Sequence, residues 1–201
     1  MTDEEFLEEY RQGLRETLDG LSGAKKRERE LWVCETFLRN LGTVYDQSEV
    51  RSVDDESPDV LFRDARFEIK ERLDPNRRRT DEYRRALEQA EQMTERNQIF
   101  TFFEPTDLTP NEIFANILPN LEGWRHHYEP RFRATLDLLV YYNAIGSFFK
   151  DVPELPDASA VAAYGFRSVS ATTGSRAWVL WASDAAPALL ADNRGLIRRG
   201  T

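Results

Sequence analysis

Apolar residues recur near the start of the chain at alternating three- and four-residue steps: Leu7, Tyr10, Leu14, Leu18 and Leu21. That spacing lays one apolar stripe along a helix and leaves acidic residues on the other side, as expected of a packing or dimerisation helix. A second periodic set, Leu31, Cys34, Leu38 and Leu41 with Phe37 beside them, predicts a helix from about Lys25 to Leu41, stopped by Gly42. The pattern then changes to short extended segments. TVYDQSEV (43–50) reads as a first strand and DDES as a turn, and PDVLF and RFEIKE read as two further strands. Pro75 and Asn76 break the chain, and a helix is expected from about Thr80 to Arg96, capped by Thr80 or Asp81.

Further on, IFTFF (99–103) is apolar enough for a short strand, and TPNE (109–112) is a helix start with Thr109 as cap and Glu112 closing the box. The nearly unbroken apolar run LDLLVYYN (136–143) predicts a buried central strand. YGFRSVSA and AWVLWAS flank TTGS and predict an antiparallel hairpin, followed by a short Ala/Leu helix ended near Gly195. Trp178 and Trp181, three apart on that hairpin, are expected on opposite faces, as core and interface. The order of elements implies an α+β sandwich with helices against a mixed β-sheet. It is read as one domain over 1–201, with the N-terminal helix in 1–23, a core in 24–143 and the C-terminal hairpin and helix in 144–201.

The hairpin at 58–71, PDVLFRDARFEIKE, carries the chemistry. Period-two alternation separates Val60 and Phe62 from Asp59, and Phe67 and Ile69 from Glu68 and Lys70. An even-numbered connection such as Arg63-Asp64 or Asp64-Ala65 sets Asp59 across from Glu68 or Lys70, and leaves the four apolar residues together on a core face. Two carboxylates held close repel each other and resist burial unless a cation sits between them. Magnesium suits such a pair, because it takes one or two carboxylates, keeps several waters and accepts phosphate oxygens. A lysine beside it can hold an attacking water or stabilise developing phosphorane charge, so the three residues together fit metal-assisted hydrolysis of a phosphodiester.

Composition narrows the field. The 201 residues are 40% hydrophobic and 31% charged, those of an ordinary globular protein, and no apolar run approaches the roughly 18–20 residues of a membrane span. A single cysteine, Cys34, permits no internal disulfide, and the acidic N-terminus does not resemble a secretory signal, so a cytoplasmic location is expected. A net charge of −9 argues against indiscriminate nucleic-acid binding, but residues 63–85 hold nine basic against six acidic side chains. There is no G-x-x-x-x-G-K-[ST] and no G-x-G-x-x-G, which leaves ATP and dinucleotide binding unsupported. The adjacent His126 and His127 lack the surrounding ligands of a metal site and are read as structural, and Cys34 as a packed thiol.

Pro-Asp, eight intervening residues, then Glu-Ile-Lys resembles the PD-(D/E)XK nuclease superfamily, with a matching order of helix, strand, motif-bearing hairpin and second helix across roughly 24–100. The chain is also similar to small bacterial proteins grouped as a domain of unknown function and labelled endonucleases; PDVLFRDARFEIKE and the following RRR-x-DEY carry that likeness. The resemblance implies a restriction-endonuclease-like core with helix-strand-strand-strand-helix-strand order and a magnesium-dependent endonuclease, manganese being an alternative ion, with DNA as the expected partner. It implies Asp59 and Glu68 as metal ligands, the Ile69 carbonyl as a further oxygen and Lys70 at the water. A glutamate from the preceding helix is also implied: Glu30 first, Glu35 second. For phosphate contact or site support it offers Arg77, Arg78, Arg79, Tyr83, Arg85 and Gln89, with Arg78 and Arg79 foremost. A nuclease fold without turnover, acting as a nucleic-acid-binding or protein-interaction module, is the competing expectation, and a homodimer through the first helix is compatible with either.

Overall fold

The computed structural model describes residues 1–54, 56–74, 77–100, 106–144, 147–150 and 157–200. The chain begins with α1 (Asp3–Gly20), whose N-terminus is closed by a reciprocal box between Thr2 and Glu5, and continues into α2 (Lys26–Asn40). Three strands follow, β1 (Val50–Ser52), β2 (Val60–Phe62) and β3 (Ala65–Leu73), and then α3 (Arg79–Ala90). β4 (Thr106–Leu108) leads into α4 (Pro110–Arg125), α5 (Pro130–Arg133) and β5 (Asp137–Asn143). The chain closes with β6 (Ser147–Phe149), β7 (Ser168–Thr172), β8 (Arg176–Ala182), α6 (Ala188–Ala191) and β9 (Ile197–Arg199). Among the described residues, seven strands form one mixed sheet in the order β1-β2-β3-β5-β7-β8-β9, and β4 and β6 pair separately.

β3 and β5 run parallel at the centre, joined by the α3 to α5 segment, whereas β1, β2 and β3 are antiparallel neighbours. The two faces of the sheet bury separate cores. On one, Val33, Phe37 and Leu38 of α2 meet Val60, Phe62, Phe67 and Leu139. On the other, Ile113, Ile117 and Leu121 of α4 meet Leu138, Val140, Val169 and Trp178. β5 supplies Leu139 to one core and Leu138 and Val140 to the other, which is why its sequence lacks a polar side. An α+β architecture with a mixed sheet flanked by helices is therefore present.

Several boundaries differ from those the sequence suggests. The first strand occupies only Val50–Ser52, because Asp46 and Glu49 form a reciprocal box that turns 47–49 into a 3-10 helix. α3 starts at Arg79 behind Arg78, without a side-chain cap, and ends at Ala90 rather than near Arg96, where a separate 3-10 turn begins. Trp178 and Trp181 share a face. An irregularity in the β7–β8 register pairs Val169 with Trp181 but Ser170 with Val179, so Leu180 is an extra residue that reverses the alternation. Both indoles consequently pack on the α4 side. The break at Pro75 and Asn76 and most of the strand at 99–103 fall outside the described residues.

Candidate active site

The β2–β3 hairpin turns on Arg63-Asp64, with Phe62 opposite Ala65 and Val60 opposite Phe67. Arg63 takes a positive φ of 52°, the conformation that two-residue hairpin turns require, and its guanidinium is anchored on Glu49 at 2.8 Å. Continued by one residue, this register sets Asp59 across from Glu68. Val60, Phe62 and Phe67 enter the α2-side core and Ile69 packs against it. Glu68 and Lys70 point to the opposite face, since their β5 partners Leu138 and Val140 belong to the α4-side core.

Asp59 and Glu68 are both buried, with 7% and 2% of their surfaces exposed, so their partners decide what each can do. One Asp59 carboxylate oxygen accepts the Ile69 N–H at 2.8 Å; the other lies 3.4 Å from Lys26 Nζ. The same ammonium is 3.1 Å from Glu30, one helical turn along α2. Burial pushes the Glu30 carboxyl above its ordinary value and the neighbouring Asp59 charge pushes it further, against the opposing pull of Lys26. Lys26 is raised in turn, chiefly by its hydrogen bond to Glu30.

Glu68 sits in a different shell of donors. Its Oε1 accepts from the Tyr128 hydroxyl at 2.6 Å and from Lys70 Nζ at 2.7 Å, and its Oε2 accepts from Ser57 at 2.5 Å. The Lys70 ammonium also lies 5.7 Å from the centre of the Tyr128 ring. The Tyr128 phenol is held protonated well above its usual range, first by burial, then by its bond to Glu68 and by the charges of Glu68 and Asp59. Both carboxylates thus bear on one phenol at the end of the hairpin.

The hairpin therefore carries two adjoining sets of groups. Asp59, Glu30 and Lys26 meet on the α2 side, and Glu68, Lys70, Tyr128 and Ser57 on the α4 side. Among the described residues no three His, Cys, Asp or Glu side chains gather closely enough to form a ready-made metal cage. The donor set on the α2 side still suits magnesium, which takes one or two carboxylates and leaves its other positions to water and substrate. Asp59 and Glu30 provide that pair. The Ile69 carbonyl projects to the same strand edge as the Ile69 N–H that Asp59 accepts. Glu68 fits less well, because three internal donors engage its two oxygens.

Of the other candidates, Arg77 is tied to Glu82 at 2.7 Å and to the Asn143 carbonyl at 3.0 Å, and Arg79 is paired with Glu71. Arg78 and Arg85 are exposed, Arg85 donating to the Asp81 carbonyl within α3. Glu35 lies on the side of Tyr45 and Cys34, both of which it helps to raise after the larger effect of burial. Sequence reasoning missed Lys26, Ser57 and Tyr128. Lys26 is four residues before Glu30 on one helix, a spacing that could have flagged it; nothing local marks Tyr128, sixty residues from Glu68.

The chain belongs, over residues 2–199, to the family described as "Putative endonuclease, protein of unknown function (DUF1780)". It is similar to a solved protein of unknown function from Pseudomonas aeruginosa strain PAO1, described as of the monooxygenase superfamily. That likeness has a TM-score of 0.68 and 27% identity, and covers 99% of this chain and 96% of the other. Comparison with curated proteins finds no match. Among the described residues, no helix is long and apolar enough to cross a membrane.

Proposed function

We propose that the chain is a metal-dependent endonuclease with a PD-(D/E)XK-type site on the β2–β3 hairpin, acting on DNA. The observation that carries this reading is the meeting of Asp59 with Glu30 and Lys26 directly beside Glu68, Lys70 and Tyr128 on adjoining elements. The family description as an endonuclease supports the reaction class, and the run α2-β1-β2-β3-α3, followed after β4, α4 and α5 by β5 parallel to β3, supports the restriction-endonuclease-like core.

Asp59 and Glu30, with the Ile69 carbonyl, would hold magnesium or manganese, which when bound supplies Lewis-acid stabilisation of phosphate charge and a more acidic water. Lys70 keeps its ammonium fixed by Glu68 and the Tyr128 ring and offers its remaining protons to a phosphate oxygen or to the water. Tyr128, Ser57 and Glu68 position Lys70. The monooxygenase description of the solved relative finds less support here, where the converging groups are acids, amines, a phenol and a hydroxyl suited to phosphate and water.

A second reading, a nuclease fold that binds nucleic acid or protein without turnover, is favoured by the saturation of Glu68 with three donors. One assay separates the two. Purified protein is incubated with plasmid, linear and single-stranded DNA and with RNA, in magnesium, manganese or chelator, beside Lys70→Ala and Asp59→Ala. Metal-dependent cleavage lost in both variants supports the enzyme. Binding without cleavage supports the module, and equal cleavage by wild type and variants overturns the assignment of this site.

A further inference from the structure

A cleft of about 560 Å³ opens beside the candidate site, between α1, α2, α3 and the adjacent stretches of β3 and β5. Its size is that of a small-molecule pocket. Trp32, Tyr83 and Tyr141 line it together with Lys26, Arg29 and Arg79. Trp32 stands edge-on to Tyr141, with ring centres 5.3 Å apart and planes at 88°, yet remains 46% exposed. Such rings offer flat apolar faces that accept any base by stacking.

The cleft is continuous with the candidate site through Lys26 and Glu30, which line it and also meet Asp59. The Lys26 side chain is 63% exposed, so its ammonium can reach a phosphate while staying next to the acids. Of the acids in the cleft wall, Glu71 is already neutralised by Arg79 and hydrogen-bonded to the Asn143 amide. The walls thus present aromatic surface and the end nearest Asp59 presents a cation, an arrangement matching a base followed by its phosphate.

We propose that this cleft receives one unpaired nucleotide next to the scissile phosphate, so that the preferred substrate is single-stranded or locally melted nucleic acid. The inference rests on the nuclease reading for its placement of the scissile phosphate. A base in a duplex reaches a pocket only after unpairing, which costs free energy that a single strand does not have to supply.

The test is an abasic scan. A short single-stranded DNA is prepared with one abasic position moved stepwise along it, and its affinity for Lys70→Ala protein is measured by anisotropy, with the folding of each variant checked by circular dichroism. One position is expected to weaken binding about tenfold, the size of one lost stacking contact. Adding Trp32→Ala is expected to abolish that position dependence, and Trp32→Phe to restore it. Equal affinity at every position, or a scan unchanged by Trp32→Ala, would overturn the cleft assignment. Metal-dependent cleavage of the intact oligonucleotide by the wild type is read separately, and its absence overturns the nuclease reading while leaving the abasic scan to decide the cleft.

Discussion

The Tyr128 hydroxyl donates a 2.6 Å hydrogen bond to the Glu68 carboxylate, joining the segment after α4 to the middle of β3. The acceptor oxygen is also the one that holds Lys70, so the phenol and the ammonium fix each other through it. Tyr128→Phe removes the donor and keeps the ring. The expected outcome is a stability loss of about 1 kcal/mol in urea denaturation, since Lys70 and Ser57 still satisfy Glu68. Cleavage should fall through kcat more than through KM, because Lys70 loses orientation rather than presence. A variant with wild-type kcat and KM would remove Tyr128 from the site.

The Glu30 carboxyl gives a pH signature. Its folded value is raised, so the neutral form is favoured by folding and the charged form carries a cost. That cost is absent below the ordinary glutamate range, grows as pH rises through it and is complete above the raised folded value. Glu30→Gln should therefore be more stable than wild type at neutral pH in chelator, with the difference closing as pH falls below about 4. Thermal melts from pH 3 to pH 8 measure it; a difference that widens in acid would contradict this account of Glu30.

Much of this architecture was legible because the relevant signals are local. The alternation in PDVLF and RFEIKE marked the hairpin and the separation of Val60, Phe62 and Phe67 from Glu68 and Lys70, but left its turn open between Arg63-Asp64 and Asp64-Ala65, which the pairing of Phe62 with Ala65 decides for the former. The strand LDLLVYYN emerged as the central β5 because both of its faces are covered. What escaped depended on contacts between distant segments. The Leu180 bulge turned Trp181 to the side of Trp178, and no local pattern announces an extra residue in an aromatic strand. Period two also could not reveal that Asp59, which lies just before β2, turns its carboxylate to the Ile69 N–H and Lys26 while Glu68 turns towards Tyr128.

The arginines at the start of α3 are expected to behave differently from one another. Arg78 is exposed, whereas Arg79 is committed to Glu71 in the cleft wall. Arg78→Ala should weaken nucleic-acid binding uniformly across sequences and reduce the salt dependence of log K by roughly one phosphate contact. Arg79→Ala should instead loosen the cleft and lower the melting temperature. Affinity measured over a range of salt concentrations distinguishes them, and an unchanged slope for Arg78→Ala returns that residue to a solvated role. Changing both arginines is expected to weaken substrate binding while leaving metal affinity largely intact.

The two sets of acids make opposite predictions for metal binding. Lys26 holds its ammonium 3.1 Å from Glu30 and 3.4 Å from Asp59, where a divalent cation would compete with it. Lys26→Met removes that competitor and leaves two acids in mutual repulsion, so the variant should be less stable in chelator but more strongly stabilised by magnesium than wild type. A ligand bound only by the folded state raises stability by RT ln(1 + [L]/Kd), about 2.7 kcal/mol at a hundred times Kd, which makes the effect readable as a shift in melting temperature. Asp59→Asn should abolish the magnesium-dependent shift. Glu68→Gln should retain most of it, because Ser57, Tyr128 and Lys70 already engage both Glu68 oxygens. The reverse result, loss with Glu68→Gln and retention with Asp59→Asn, would place the ion on the Tyr128 side and make Lys26 a structural counter-ion.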